Sequence, residues 1–226
     1  ALIDRAKVII TPADPEAADR ALARVLEKDA AGDGALTAAL AAHPKARDLL
    51  RGVFGASPYL TDLAAYGASR LAKALVSDPA ARVEELIAEA KALATEDEAE
   101  VMRALRIIKQ EAALVIALAD LSKVWGTLDA TSALTRIADA TLSAAIRFTL
   151  RAAAAAGKIE LPDASDPENG SGWIFLGMGK GGAFELNYSS DIDLIVFFDR
   201  SRARLAEPYE DTDFFVKMTK RIVRIM

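Results

Sequence analysis

Along the first two thirds of the chain, apolar residues recur every three or four positions, which predicts amphipathic helices. Residues 14–30 (DPEAADRALARVLEKDA) open with Asp14 as an N-cap and Pro15 at the first helical position. Residues 34–43 (GALTAALAAH) and 44–55 (PKARDLLRGVFG) predict two short helices divided at His43-Pro44, because the residue before a proline is pushed out of helical geometry. Residues 57–75 (SPYLTDLAAYGASRLAKAL) predict one helix capped by Ser57, and residues 78–94 repeat the Asp-Pro start at Asp78-Pro79. The longest pattern, residues 96–125, places Val101, Leu105, Ile108, Ala112, Val115 and Ala119 at helical spacing, with Leu114, Leu118, Leu121 and Trp125 beside them. Residues 131–156 repeat it through Leu134, Ile137, Thr141, Ala145 and Phe148, and Gly157 ends it. Two long helices with a short connection should pack as an antiparallel pair.

The period changes after residue 156. Residues 161–172 (LPDASDPENGSG) are polar and rich in turn formers, and predict an exposed loop. WIFLGMG and DIDLIVFF are short, apolar and rich in β-formers, so both predict strands. Residues 210–226 (EDTDFFVKMTKRIVRIM) return to helical spacing, with Phe214, Val216 or Lys217, Met218, Ile222 and Ile225 along one side. The expected class is α+β: a helical domain over residues 1–157, then a domain containing the two strands over residues 158–226.

Composition narrows the chemistry. The 226 residues are 52% hydrophobic and 27% charged, enough to build a core and stay dissolved. A net charge of −5 argues against a nucleic-acid partner, which needs concentrated Lys and Arg. No cysteine is present, which excludes disulfides, thiolate metal sites and a Cys nucleophile. That is compatible with a reducing compartment, and a cytoplasmic location is expected. No run of about 18 apolar residues occurs, so no membrane span is expected. The start lacks the pattern of a signal peptide. There is no initiator Met, and the chain stops inside a helical pattern, which suggests a piece of a longer protein.

The chemistry concentrates in GMGKGGAFELNYSSDIDLIVFFD, residues 177–199. If DIDLIVFF is a strand, Asp191 and Asp193 point to one side and Ile192 and Leu194 to the other. Two like charges so placed need solvent or a divalent cation between them. Mg²⁺ (or Mn²⁺) suits them, because it takes oxygen ligands and keeps waters for a phosphorylated substrate. Phe197 and Phe198 should anchor the far end of the strand in the core. The glycine turn, with Gly177 and Gly179, lets backbone N–H groups approach an anion. Lys180 adds a cation, and a short helix over GAFELN would add its N-terminal partial charge. The letters satisfy GxGxxG, yet the next strand begins only about nine residues on, too soon for a βαβ crossover. A Walker loop is excluded because no Ser or Thr follows Lys180.

This stretch resembles the signature of nucleotidyltransferases with a polymerase-β-like fold. More narrowly it resembles the N-terminal catalytic domain of the bacterial bifunctional glutamine synthetase adenylyltransferase/adenylyl-removing enzymes, whose pattern is close to G-x-G-K-x-G-G-R-E-L-N-x-S-S-D-I-D-L. ELNYSSDIDL resembles the deadenylylating half of those enzymes, since the adenylylating half usually carries Gly-Ser before the Asp pair. ASPYLTDLAAYG and LRIIKQEAALVIALADL resemble the helical region that precedes that domain.

The resemblance implies metal ligation by Asp191 and Asp193, a phosphate-facing turn at Gly177, Gly179 and Lys180, and a nucleotide-binding role for Ser189 and Ser190. Gly181, Ala183 and Phe184 depart from the pattern, the last replacing an Arg. A third carboxylate that the family places on a later strand has no counterpart here. The reaction implied is phosphorolysis: orthophosphate attacks AMP attached to a tyrosine of glutamine synthetase, releasing ADP and the unmodified enzyme. Glutamine and a PII-type signalling protein are implied as regulators. Two other readings stand beside it: a non-catalytic helical module docking glutamine synthetase or a signalling protein, and a nucleotidyltransferase of the same fold with a small-molecule acceptor.

Overall fold

The computed structural model describes residues 1–206 and 210–226. Among them are eleven helices and two strands, which bears out the α+β expectation at that level. By packing, the chain divides into two compact units. Residues 1–86 and 110–134 form the first, and residues 87–109 and 135–226 the second.

The first unit begins with α1 (Leu2–Arg5), α2 (Pro15–Ala30), α3 (Ala35–Ala42) and α4 (Pro44–Ala56). The sequence signals act here as expected. Pro15 opens α2, and the Asp14 carboxylate accepts from the Ala17 N–H at 2.9 Å. His43-Pro44 separates α3 from α4. Residues 57–75 differ from expectation: they form α5 (Pro58–Tyr66) and α6 (Ala68–Val76), broken at Gly67. The break falls at the one glycine of this stretch, a weak helix former, and the Arg70 guanidinium occupies the space where its Cβ would stand, 2.4 Å away. Leu22, Val25, Leu36, Leu49, Leu50, Leu71 and Leu75 fill this unit's core.

The three helices that follow are α7 (Pro79–Ala92), α8 (Glu98–Leu121) and α9 (Thr127–Ala155). The stripe expected on α8, from Val101 to Ala119, is buried throughout, as are Ile137, Thr141, Ala145 and Phe148 of α9. In the second unit Val101 and Leu105, near the start of α8, share a core with Leu142, Ile146 and Leu150 towards the end of α9, which is the antiparallel pairing expected. Arg147 donates to the carbonyls of Ala90 and Lys91 at 3.2 and 3.3 Å, and so caps the exposed end of α7.

The second unit also holds β1 (Trp173–Gly177), the one-turn helix α10 (Gly179–Gly182), β2 (Leu194–Phe198) and α11 (Asp211–Ile225). No regular element lies in residues 161–172, as their turn residues predicted. The strands pair antiparallel, Trp173 opposite Phe198 and Gly177 opposite Leu194. One face of this ribbon enters the core, where Phe198 stacks on Phe215 at 5.0 Å and Trp173 meets Phe175 edge-on at 4.8 Å. On α11, Phe214, Phe215, Met218, Ile222 and Ile225 are buried. Val216 and Lys217 are exposed, so the buried stripe runs through Phe215 rather than through either of them. Glu98 accepts from Arg221 at 2.6 Å and also from Arg224, tying α11 to the start of α8.

Candidate functional site

The ladder between β1 and β2 runs one pair beyond the strands, through a bond from the Met178 N–H to the Asp193 carbonyl at 2.9 Å. The chain then turns sharply back on itself. Gly179 adopts φ +52°, and a Cβ on Gly182 would stand 2.5 Å from the Gly177 carbonyl oxygen, so neither position favours a side chain. The helical turn occupies Gly179–Gly182 and not GAFELN as expected. It is closed by bonds from the Ala183 N–H to the Gly179 carbonyl, 3.1 Å, and from the Glu185 N–H to the Lys180 carbonyl, 2.8 Å. Among the described residues, no backbone acceptor takes the N–H groups of Gly179, Lys180 or Gly181.

Asp191 and Asp193 lie just ahead of β2 rather than within it, both exposed, with Ile192 and Leu194 half-buried between and after them. The alternation expected of a strand is therefore kept without the full ladder. A Cβ built on Gly179 would lie 3.5 Å from Asp193 Oδ2, which places that carboxylate beside the glycine turn. Neither acid is held in an ion pair among the described residues, and Lys180 is likewise exposed and unpaired. The anchoring of the strand differs from expectation. Phe198 enters the core, but Phe197 points the other way and is 50% exposed, because successive strand residues alternate faces.

Ser189 and Ser190 are bound locally. The Asn187 side-chain oxygen accepts from the Ser189 N–H at 3.1 Å, the Ser189 hydroxyl at 3.3 Å and the Ser190 hydroxyl at 2.8 Å. The Ser190 hydroxyl also accepts from the Asn187 N–H, at 3.2 Å. Asn187 thus organises the approach to the acids, a role its spacing ahead of two serines could have signalled. Thr135 was not legible in this way: its hydroxyl, on α9, accepts from the Leu186 N–H at 3.3 Å and fixes the turn to the helix. At the far end of β2 the Asp199 carboxyl is held below its ordinary range, chiefly by the Ser201 hydroxyl, and it closes the turn there.

The donor chemistry fits a Mg²⁺-type ion, which is commonly bound through one or two carboxylates with waters and substrate phosphates completing six oxygen ligands. Asp191 and Asp193 are the residues that could hold it. No group of three or more His, Asp and Glu side chains converges among the described residues. None of the described helices is long and apolar enough to cross a membrane.

Comparison with known proteins places the sequence in a family. Residues 47–226 match the family described as glutamate-ammonia ligase adenylyltransferase. The chain is 42% identical over 224 residues to a bifunctional glutamine synthetase adenylyltransferase/adenylyl-removing enzyme of Brucella suis, covering 96% of this chain and 22% of the relative. It is 46% identical over 215 residues to the protein of that name from Xanthobacter autotrophicus, covering 94% and 22%. Against the one from Bradyrhizobium diazoefficiens it is 49% identical over 190 residues, covering 83% and 19%. The chain thus spans about a fifth of the length of these curated relatives.

Proposed function

Because the chain belongs to the glutamate-ammonia ligase adenylyltransferase family, we propose that it carries the start of a polymerase-β-like nucleotidyltransferase site. That site acts, in the whole protein, in the phosphorolytic removal of AMP from glutamine synthetase. Asp191 and Asp193 would hold Mg²⁺ or Mn²⁺, which when bound supplies positive charge to neutralise phosphate oxygens. The N–H groups of Gly179, Lys180 and Gly181, with the Lys180 ammonium, would hold a phosphate in place. An orthophosphate oxygen forms the new bond to the AMP phosphorus, the bond to the tyrosyl oxygen breaks, and the tyrosine takes up a proton. Orthophosphate is nucleophilic near neutral pH, so the chain needs no dedicated base. Glutamine and a PII-type protein remain the expected regulators, and the cytoplasm the expected location.

The observation that carries this reading is the place of Asp193, whose carboxylate lies against Gly179 of a turn with three uncommitted N–H groups. The test uses the full-length protein containing this segment, adenylylated glutamine synthetase, orthophosphate and Mg²⁺ or Mn²⁺, with ADP release as the readout. Asp191→Asn and Asp193→Asn should each lower the rate by about a hundredfold or more, since even outer-shell partners of a metal are worth ten- to a hundredfold. Circular dichroism should stay unchanged. Parental rates in either variant would overturn the assignment of the acids. Binding of glutamine synthetase without any ADP release by the parent would favour the docking-module reading, and transfer of AMP to an acceptor other than orthophosphate would favour another nucleotidyl transfer.

A further inference from the structure

Phe184 stands at φ +59° and is 53% exposed. Its own N–H donates to the Gly181 carbonyl at 3.1 Å, and the next N–H, of Glu185, reaches back to the Lys180 carbonyl at 2.8 Å. It is therefore the left-handed residue that closes a helical turn, a position usually given to glycine because a Cβ there is strained. Lys123 is the other non-glycine residue at positive φ among those described, and its long polar chain is at home in water. Phe184 combines two unfavourable features, a strained backbone and an exposed aromatic ring. About half of the ring is left open to water. Two residues on, Leu186 takes the core position at 4% exposure, with its N–H bound to Thr135. Strain held in place by its surroundings gathers at ligand clamps, and this residue belongs to the turn whose Gly179 lies against Asp193.

A flat apolar ring beside a turn suited to phosphate matches the two ends of a nucleotide. Resting on the nucleotidyl-transfer reading, we infer that Phe184 is the surface on which the purine base of the bound nucleotide stacks, while its phosphates lie at the glycine turn. Stacking of a base on an aromatic side chain needs no hydrogen-bond readout, and only two side-chain angles have to be fixed on binding.

The test measures binding of ADP and of pyrophosphate to the full-length protein containing this segment by calorimetry in Mg²⁺, for the parent, Phe184→Gly, Phe184→Tyr and Asp193→Asn. Glycine suits the backbone at this position, so Phe184→Gly should melt no lower than the parent. It should bind ADP about tenfold more weakly and pyrophosphate unchanged, because stacking acts on the base alone. Phe184→Tyr should retain ADP affinity. If Phe184→Gly binds ADP as tightly as the parent while Asp193→Asn loses both ligands, the stacking role is overturned and the site reading stands. Equal losses of ADP and pyrophosphate in Phe184→Gly would also overturn it, showing a collapsed turn. A parent that binds neither ligand would overturn the inference together with the reading beneath it.

Discussion

Gly172 lies at φ +74°, and a Cβ there would stand 2.7 Å from the Asp199 carbonyl oxygen and 2.8 Å from the Ala203 nitrogen. Both neighbours are backbone, so neither can swing aside. Gly172→Ala should cost about 2–3 kcal/mol, strain and overpacking together, read by urea unfolding. Gly179 and Gly157 allow a cleaner comparison. Both have positive φ, +52° and +66°, but a Cβ on Gly179 would lie 3.5 Å from Asp193 Oδ2, while one on Gly157 would meet nothing within 4 Å. Alanine at either should cost about 1–2 kcal/mol of left-handed strain. Only Gly179→Ala should also weaken Mn²⁺ binding, followed by the loss of the free-ion electron resonance signal. Equal Mn²⁺ affinity in both would separate the glycine turn from the metal site.

Two element termini depend on carboxylates that titrate. Burial alone would raise the pKa of Asp29, but the Thr37 hydroxyl and the N–H groups of Thr37 and Leu36 overcome it, and the folded value sits below the ordinary one. Burial likewise works against Glu98, and Arg221 and Arg224 outweigh it. A depressed folded pKa means that the stability is fully present above the unfolded value, about 4, and drains away as pH falls through the folded value. The melting temperature should therefore fall on acidification below about pH 4. Asp29 ends α2 and caps α3 from within the core, at 1% exposure. Asp29→Ala should cost about 1–3 kcal/mol at neutral pH, through the buried N–H groups left unpaired. It should also flatten the acid slope. An unchanged slope would mean that other carboxylates govern acid unfolding.

Across the whole molecule, each unit gathers residues far apart in sequence. In the first unit, Arg82 of α7 donates to Glu111 of α8 at 2.6 Å, with side chains only 4% and 5% exposed. Arg82 also reaches Glu85 at 2.7 Å. Removing Glu111 takes away the buried partner and leaves Arg82 to more exposed ones, Glu85 among them. Glu111→Ala should then lose about 1.5–3 kcal/mol in urea unfolding, the worth of a charged hydrogen bond, and the pair Arg82→Met with Glu111→Leu should recover most of it. If Glu111→Ala costs under about 1 kcal/mol, water reaches the pair and it behaves as a surface bridge. In the second unit the ribbon shows one face to the core, and on the other Ile174, Leu176, Ile195 and Phe197 are each 41–50% exposed.

Helices, their caps and the strand pair were legible in the sequence because period and capping are local: Asp14 with Pro15, His43 with Pro44, and the alternating DIDLIVFF each act within a few residues. The candidate acids and glycines were legible for the same reason, as spacing along one strand-turn-strand. The burial of Phe215 was not, since Phe198 and Trp173 decide it from another element. Only tertiary structure set Thr135 beneath Leu186 and left Phe184 outside at a backbone angle that favours glycine. Local pattern dictates which elements form, whereas contacts between residues distant in sequence depend on how those elements close upon one another.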